Sequence, residues 1–364
     1  MDLFNNLYKN KKVLITGDTG FKGSWLAIWL KELGADVFGY ALPPQKKEDN
    51  FVKCNLMEKI HHFDSDIRDV SNLLSYFEEV KPEFVFHLAA QPIVLESYKN
   101  PHYTFETNVM GAVNFFEAVR KTPSVKVAVN ITSDKCYQNN EWVWGYRESD
   151  PIGGNDPYSA SKGCSELITN SYIHSYFNNN SNCVVASVRA GNVIGGGDWA
   201  EHRIIPDFFR ALRKGEPLII RNPKATRPWQ HVLEPLSGYL NLAAKLRRDG
   251  YDYSGNWNFG PLDQSNYSVS ALVNEIIKYL GKGQAIFDEV NEMPHEANIL
   301  KLDISKAVQK LKWEPVLNFK ETVKFTVNGY TDEETGNTYD QRKNQIQDYI
   351  ELASQRNIKW AKNK

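Results

Sequence analysis

The chain has 364 residues, of which 41% are hydrophobic and 24% charged, with a formal charge of −1. That length suits two domains around a large core, and that balance excludes a global field drawing nucleic acid or a membrane surface. Apolar runs stop at strand length, short of the ~20 residues of a membrane span, and "MDLFNNLYKNKK" lacks the apolar region of a signal peptide.

In chain order, "KVLIT" (Lys12–Thr16) predicts a first buried strand, followed by a helix over about Gly20–Leu33. "DVFGYAL" (Asp36–Leu42) and, more weakly, "IHHFDSD" (Ile60–Asp66) predict the next two strands, and Val70–Val80 a helix. "FVFHLAA" (Phe84–Ala90), a helix over Thr104–Arg120, "KVAVNIT" (Lys126–Thr132), a helix over Tyr158–Phe177 and "CVVASVRA" (Cys183–Ala190) continue the alternation. Strands apolar on both faces and separated by helices predict an α/β fold, a doubly wound Rossmann parallel sheet covered on both sides. After Arg189 the texture becomes loop-rich, with helix patterns at Pro206–Lys214, Val232–Leu246, Val269–Leu280, Ile304–Leu311 and Asp340–Gln355. The expected division is a dinucleotide-binding domain over 1–190, rejoined by 232–258. A smaller mixed α/β substrate domain from 191–231 and 259–364 then lies over the carboxyl edge of the sheet. Cys54, Cys136, Cys164 and Cys183 have no C-x-x-C spacing and read as reduced, packed thiols of a cytoplasmic protein. No His/Asp/Glu grouping has metal spacing, and His61 and His62 read as structural.

"TGDTGFKGSW" places Gly17, Gly20 and Gly23 between the first strand and the first helix. Glycines there permit a tight turn and bring backbone N–H groups and a helix N-terminus to a pyrophosphate. A plain tight turn is the competing reading, but the position in the first strand–helix unit favours a dinucleotide. Thr19, Phe21 and Lys22 fall in the same loop, and Lys22 is either a phosphate partner or a solvated lysine. The second strand ends "GYALPP", without the acid that takes a ribose 2′-hydroxyl or an arginine for a 2′-phosphate. NAD is favoured over NADP, with Tyr40 lining that pocket; Asp66 and Ile67 are placed to meet an adenine or to form a solvated turn.

"DPYSASKGCSE" spaces Tyr158 and Lys162 four apart, on one face of a helix. A cation beside a phenol favours phenolate, which can take a proton from a sugar hydroxyl while hydride leaves. The pair alone occurs often by chance; joined to the glycine loop and to Ser133 at a strand end, it points to one site. Asp134 and Lys135 follow Ser133 directly in "NITSDKCY".

These segments, with "HLAAQPIV", "GGNDPYSASKGCSE", "RAGNVIGGGDW" and "RPWQHV", resemble the extended short-chain dehydrogenase/reductases of the nucleotide-sugar branch. "TSDKCY" resembles more narrowly the 4,6-dehydratases that act on CDP-glucose. The resemblance implies Ser133, Tyr158 and Lys162 as catalytic residues, and Leu88, Ala89, Ala90, Thr107 and Thr132 as NAD contacts. In related dTDP-glucose dehydratases the corresponding hexapeptide carries an acid followed by a carboxylate base. Asp134 matches the acid, and Lys135 stands where the base would be. Lys135 either removes the C5 proton as a neutral amine or stays charged beside the developing enolate; a lysine turned to solvent is the bland alternative.

For the substrate, the resemblance makes Arg227 a phosphate partner, Asn192 a diphosphate or sugar contact, and Gln91 and Ser97 hexose contacts. Arg203 and Arg221 are either further phosphate partners, since guanidinium forks match phosphate geometry, or solvated surface charges. His295 and Glu296 either complete the pocket or form a loop, and Trp142 and Trp144 pack a lid. The resemblance further implies that the helices at Thr104–Arg120 and Tyr158–Phe177 form a four-helix homodimer contact. Two other readings stay open: a nucleotide-sugar epimerase, which needs no acid after the serine, and a non-catalytic dinucleotide-binding regulator. A dehydratase acting on a GDP-, dTDP- or UDP-hexose is a further variant.

Overall fold

The computed structural model describes residues 3–220, 222–262, 266–287, 299–334 and 336–362. Its strands are β1 (Lys12–Thr16), β2 (Asp36–Ala41), β3 (His61–Asp64), β4 (Phe84–His87), β5 (Val127–Ile131) and β6 (Val184–Ala190). After these come β7 (Val193–Ile194), β8 (Leu218–Ile220), β9 (Thr226–Pro228), β10 (Gln230–His231), β11 (Gly255–Phe259), β12 (Asn266–Ser268) and β13 (Ala285–Phe287). The helices are α1 (Phe21–Glu32), α2 (Asn50–Lys53), α3 (Val70–Val80), α4 (Val94–Lys99), α5 (Pro101–Phe105), α6 (Gly111–Lys121) and α7 (Pro157–Ser175). They continue as α8 (Ile204–Lys214), α9 (Leu233–Asp249), α10 (Val269–Leu280), α11 (Phe319–Thr331) and α12 (Thr338–Gln355).

Among the described residues, seven strands form one parallel sheet in the order β11-β6-β5-β4-β1-β2-β3. From β1 the order runs outward through β2 and β3 on one side and through β4, β5, β6 and β11 on the other. The crevice between the ends of β1 and β4 is therefore the topological switch point, where such sheets bind ligands. Both faces are covered, which is why Val13, Leu14, Ile15, Val85, Ala128 and Val129 are all fully buried. Trp25, Trp29, Leu236, Leu240 and Tyr349, from α1, α9 and α12, pack one face. Phe77, Phe115, Phe116 and Ile173, from α3, α6 and α7, pack the other. Helix α1 has eight consecutive buried residues, Gly23–Leu30, because sheet and helices enclose it all round. A further core, with Phe208, Phe209, Leu272, Ile276, Val323 and Tyr330, joins α8, α10 and α11.

The helix expected over Thr104–Arg120 is interrupted. Between α5 and α6 lies a π turn at Glu106–Met110, whose extra residue per turn sets Thr107 and Asn108 among its buried residues. The strand expected to reach Ala90 ends at His87, leaving Leu88–Ala90 as a crevice loop, and the helix expected over Ile304–Leu311 contains a π turn at Ala307–Leu311. Among the described residues no helix is long and apolar enough to cross a membrane, and no group of three His, Cys, Asp or Glu could hold a metal.

Glu234 fastens the carboxyl-terminal segment to α9. Its buried carboxyl accepts from the Val316 nitrogen at 3.0 Å, the Leu317 nitrogen at 2.6 Å and the Tyr349 hydroxyl at 2.7 Å. Burial pushes the carboxyl up to about 7 against those three bonds. A carboxyl raised in the folded state stabilises at low pH and loses that stability as pH climbs to the folded value. Relative to Glu234→Gln, the wild type should lose ~3 kcal/mol from about pH 5 to about pH 8, read from urea midpoints. Parallel pH dependence of the two proteins would contradict this.

Candidate active site

The glycine loop sits in the switch-point crevice. Gly17 follows β1 with φ +81°, and a Cβ there would lie 2.6 Å from the Ala89 nitrogen, so this loop and Leu88–Ala90 touch. A Cβ at Gly23 would overlap the Gly17 carbonyl oxygen. Gly20 stands at the N-cap of helix α1 and offers no side-chain cap, leaving the first-turn N–H groups for an anion. Gly23→Ala must therefore displace backbone and should weaken dinucleotide binding ~100-fold, measured by calorimetry. Unchanged affinity would contradict the cradle.

Ser133, Asp134 and Lys135 leave the carboxyl end of β5, where a one-turn 3₁₀ helix over Asp134–Cys136 begins. The Ser133 hydroxyl donates to Asp134 Oδ1 at 3.0 Å and accepts from the Lys135 nitrogen at 3.3 Å. Tyr158 and Lys162 lie on the first turns of α7, which Asp156 caps through the Ser159 nitrogen at 2.9 Å and Pro157 starts. Burial pushes the Tyr158 phenol up to about 12; the Ser133 hydroxyl and Arg203 act the other way, and Asp134 is close enough to raise it further. Burial likewise pushes Lys162 down to about 8, against Glu166 and Cys136. Drying the site thus favours the neutral form of both groups and works against the phenolate expected from their pairing. Asp134 is buried, and desolvation raises its carboxyl against Lys135, Ser133 and Arg227, which favours the protonated acid.

Lys22 reaches this cluster from the glycine loop. Burial, Lys162 and Arg203 hold it down at about 8, with Asp134 opposing. Arg203, which precedes α8, is fixed by Asp198 at 2.8 Å, and Arg227 is buried on β9. The structure therefore gathers Ser133, Asp134, Lys135, Tyr158, Lys162, Lys22, Arg203 and Arg227. Beneath them the fully buried pair Glu166–Arg189, at 2.8 Å, anchors α7 to β6. Glu166 also accepts from Ser187 at 2.7 Å, and Arg189 donates to the Tyr137 hydroxyl at 2.6 Å.

Several expected contacts are turned elsewhere. The Tyr40 hydroxyl donates to Ser65 at 2.9 Å, its ring packs with Phe63 and Tyr76, and the residue is fully buried, so it does not line a ribose pocket. Gln91 is satisfied inside the protein, its amide donating to Thr104 at 2.9 Å and its oxygen accepting from the Ile93 nitrogen. Ser97 donates to the Val94 carbonyl at 2.7 Å and accepts from the Tyr158 nitrogen at 3.2 Å; it positions α7 and does not face a hexose. The Thr132 hydroxyl is engaged by Glu166 and the Val188 carbonyl. Asp66 is held by Arg68 at 2.7 Å, Ile67 is buried, and Asn192 is half-buried in the loop after β6. Trp142 packs on Tyr146 whereas Trp144 is exposed. Arg221, His295 and Glu296 lie outside the described residues.

Asn108 escaped the sequence reading. From the π turn its amide donates to the Gln91 carbonyl at 3.0 Å and the Ser161 hydroxyl at 2.9 Å, tying α7 to the crevice loop. The signal for it is slight: an asparagine inside an otherwise apolar helical pattern.

The fold and this cluster define a dinucleotide-dependent enzyme frame, and the chain belongs to the GDP-mannose 4,6 dehydratase family, whose model matches residues 14–326. It is 48% identical over 322 residues to the CDP-glucose 4,6-dehydratase of Salmonella typhimurium, covering 87% of this chain and 90% of that one. GDP-mannose 4,6 dehydratase 1 of Arabidopsis thaliana is 26% identical, over 89% of this chain and 91% of its own. Among solved structures, a UDP-glucose-4-epimerase from Stenotrophomonas maltophila with bound NAD and formylated UDP-arabinopyranose superposes with a TM-score of 0.77. It is 19% identical, covering 88% of this chain and 98% of that one, and shares the fold.

Proposed function

We propose that this chain is an NAD-dependent hydro-lyase, a 4,6-dehydratase that converts CDP-glucose to CDP-4-keto-6-deoxyglucose and water. The observation carrying this reading is the dry acid Asp134, bonded to Ser133 beside Tyr158, with Lys135 next to it. An epimerase has no use for that acid–amine pair. The choice of CDP rests on the likeness to the Salmonella enzyme.

The residues present fit NAD: a glycine cradle at the switch point, an uncapped helix start, and Thr107 with a buried hydroxyl lacking any protein partner. When bound, NAD supplies the acceptor and donor for a hydride that leaves C4 and returns at C6. Gly17, Gly20, Gly23 and Leu88–Ala90 would hold it. Tyr158 takes the proton from the C4 hydroxyl, assisted by Ser133, while Lys162 favours the phenolate. The resulting ketone acidifies C5–H; Lys135 removes that proton, and gives a proton back to C5 as the hydride returns at C6. Asp134 gives a proton to the C6 hydroxyl, which departs as water. Arg203 and Arg227 would meet the diphosphate, together with Asn192.

The four described cysteines are free, which fits a reducing cytoplasm. Met110, Leu167 and Tyr176 are exposed around α6 and α7, which supports a homodimer through a four-helix contact. The test is incubation with CDP-, dTDP-, UDP- and GDP-hexoses, followed by the near-ultraviolet absorbance that 4-keto-6-deoxy sugars develop in base. The signal is expected with CDP-glucose; its absence with every hexose would overturn the dehydratase reading.

A further inference from the structure

The end of β2 carries no acid, yet a carboxylate stands beside it. Ala41 on β2 registers with Asp64 at the end of β3, and Gly39 with His62 two residues earlier. Asp64 and His62 share one face of β3, and Asp18 of the glycine loop packs against that face: a Cβ on Gly39 would overlap Asp18 Oδ2. His62 Nδ1 lies 2.6 Å from Asp18 Oδ2, and its Nε2 lies 2.9 Å from Asp64 Oδ1. Both ring nitrogens thus face carboxylate oxygens, an arrangement in which an imidazolium donates twice. The same loop is tied to the end of β2 by the Thr19 hydroxyl, which donates to the Leu42 carbonyl at 2.9 Å.

The exposures divide the roles. The Asp18 and His62 side chains are 0% and 1% exposed, whereas that of Asp64 is 53% exposed. Asp18 Oδ1 is buried without a hydrogen-bond partner, so this loop carboxylate is incompletely satisfied by protein. Asp64 keeps one oxygen clear of the imidazole, in register with the strand end where an adenosine ribose is held in such folds. Two carboxylates around one imidazolium leave a net negative charge there.

We propose that Asp64, oriented through His62 by Asp18, selects the free ribose 2′-hydroxyl of NAD over the 2′-phosphate of NADP. This rests on the cofactor reading above. The missing acid of β2 is replaced from the neighbouring strand. Asp64 accepts from the ribose hydroxyl, and it repels a phosphate bearing ~1.5 to 2 negative charges.

The test is equilibrium binding of NADH and of NADPH to the full chain, followed by energy transfer from tryptophan to the dihydronicotinamide. The wild type should prefer NADH. Asp64→Asn, isosteric and on an exposed edge, should lower the NADPH-to-NADH ratio of dissociation constants about tenfold, and Asp64→Arg should lower it further. Ratios unchanged in both variants, with NADH still bound, would overturn this inference alone. A wild type that binds neither nucleotide would overturn the cofactor reading beneath it.

Discussion

Tyr158→Phe should lower turnover of CDP-glucose by ~10²- to 10⁴-fold, the usual worth of a positioned proton-transfer group. The phenol is the group placed to take the C4 proton: it is buried, Ser133 and Arg203 favour its ionised form, and Ser97 receives its backbone N–H. Phenylalanine keeps the ring that packs this corner and removes the oxygen, so α7 and its cap at Asp156 should survive. Affinity for NADH should change little, which separates loss of chemistry from loss of the site. A variant that keeps about a tenth or more of wild-type turnover would remove Tyr158 from the proton-transfer role.

The second large effect divides Asp134 from Lys135. Asp134→Asn preserves shape and keeps an oxygen for the Ser133 bond but has no proton to give the departing hydroxyl, so turnover should fall by ~10²- to 10⁴-fold. Because Asp134 acts after the C5 proton is gone, exchange of C5–H with solvent deuterium should continue in that variant. Lys135→Ala should show the opposite pattern: NADH still binds, and C5 exchange stops. Proton magnetic resonance of the sugar in deuterium oxide reads both. Normal exchange in Lys135→Ala would take the base role from the lysine, and normal turnover in Asp134→Asn would take the acid role from the carboxyl.

The sheet was legible wherever burial on both faces produced an unbroken apolar run. "KVLIT" predicts β1 residue for residue because Val13–Thr16 are buried without a break and the exposed Lys12 marks the start. Ser133, Asp134, Tyr158 and Lys162 were legible for a related reason: adjacency at a strand end and i, i+4 spacing on a helix are local properties. Side-chain direction is not local. Gln91 and Ser97 follow the crevice loop in sequence, but their hydrogen bonds to Thr104 and to Tyr158 belong to α5 and α7, which fold back from elsewhere. Tyr40 faces the α3 layer because the pleat of β2 sends it there while Gly39 faces the glycine loop. The π turn holding Asn108 depends on partners at Gln91 and Ser161, and its insertion leaves no periodic mark. Asp18 and His62 are 44 positions apart and meet through the β2–β3 register.

The most direct measurement follows one hydrogen. If a single pocket removes hydride from C4, lets water leave across C5–C6 and returns that hydride, then CDP-glucose deuterated at C4 should give CDP-4-keto-6-deoxyglucose with the deuterium at C6. Deuterium lost to solvent, or retained at C4 of an epimerised hexose, would contradict the account.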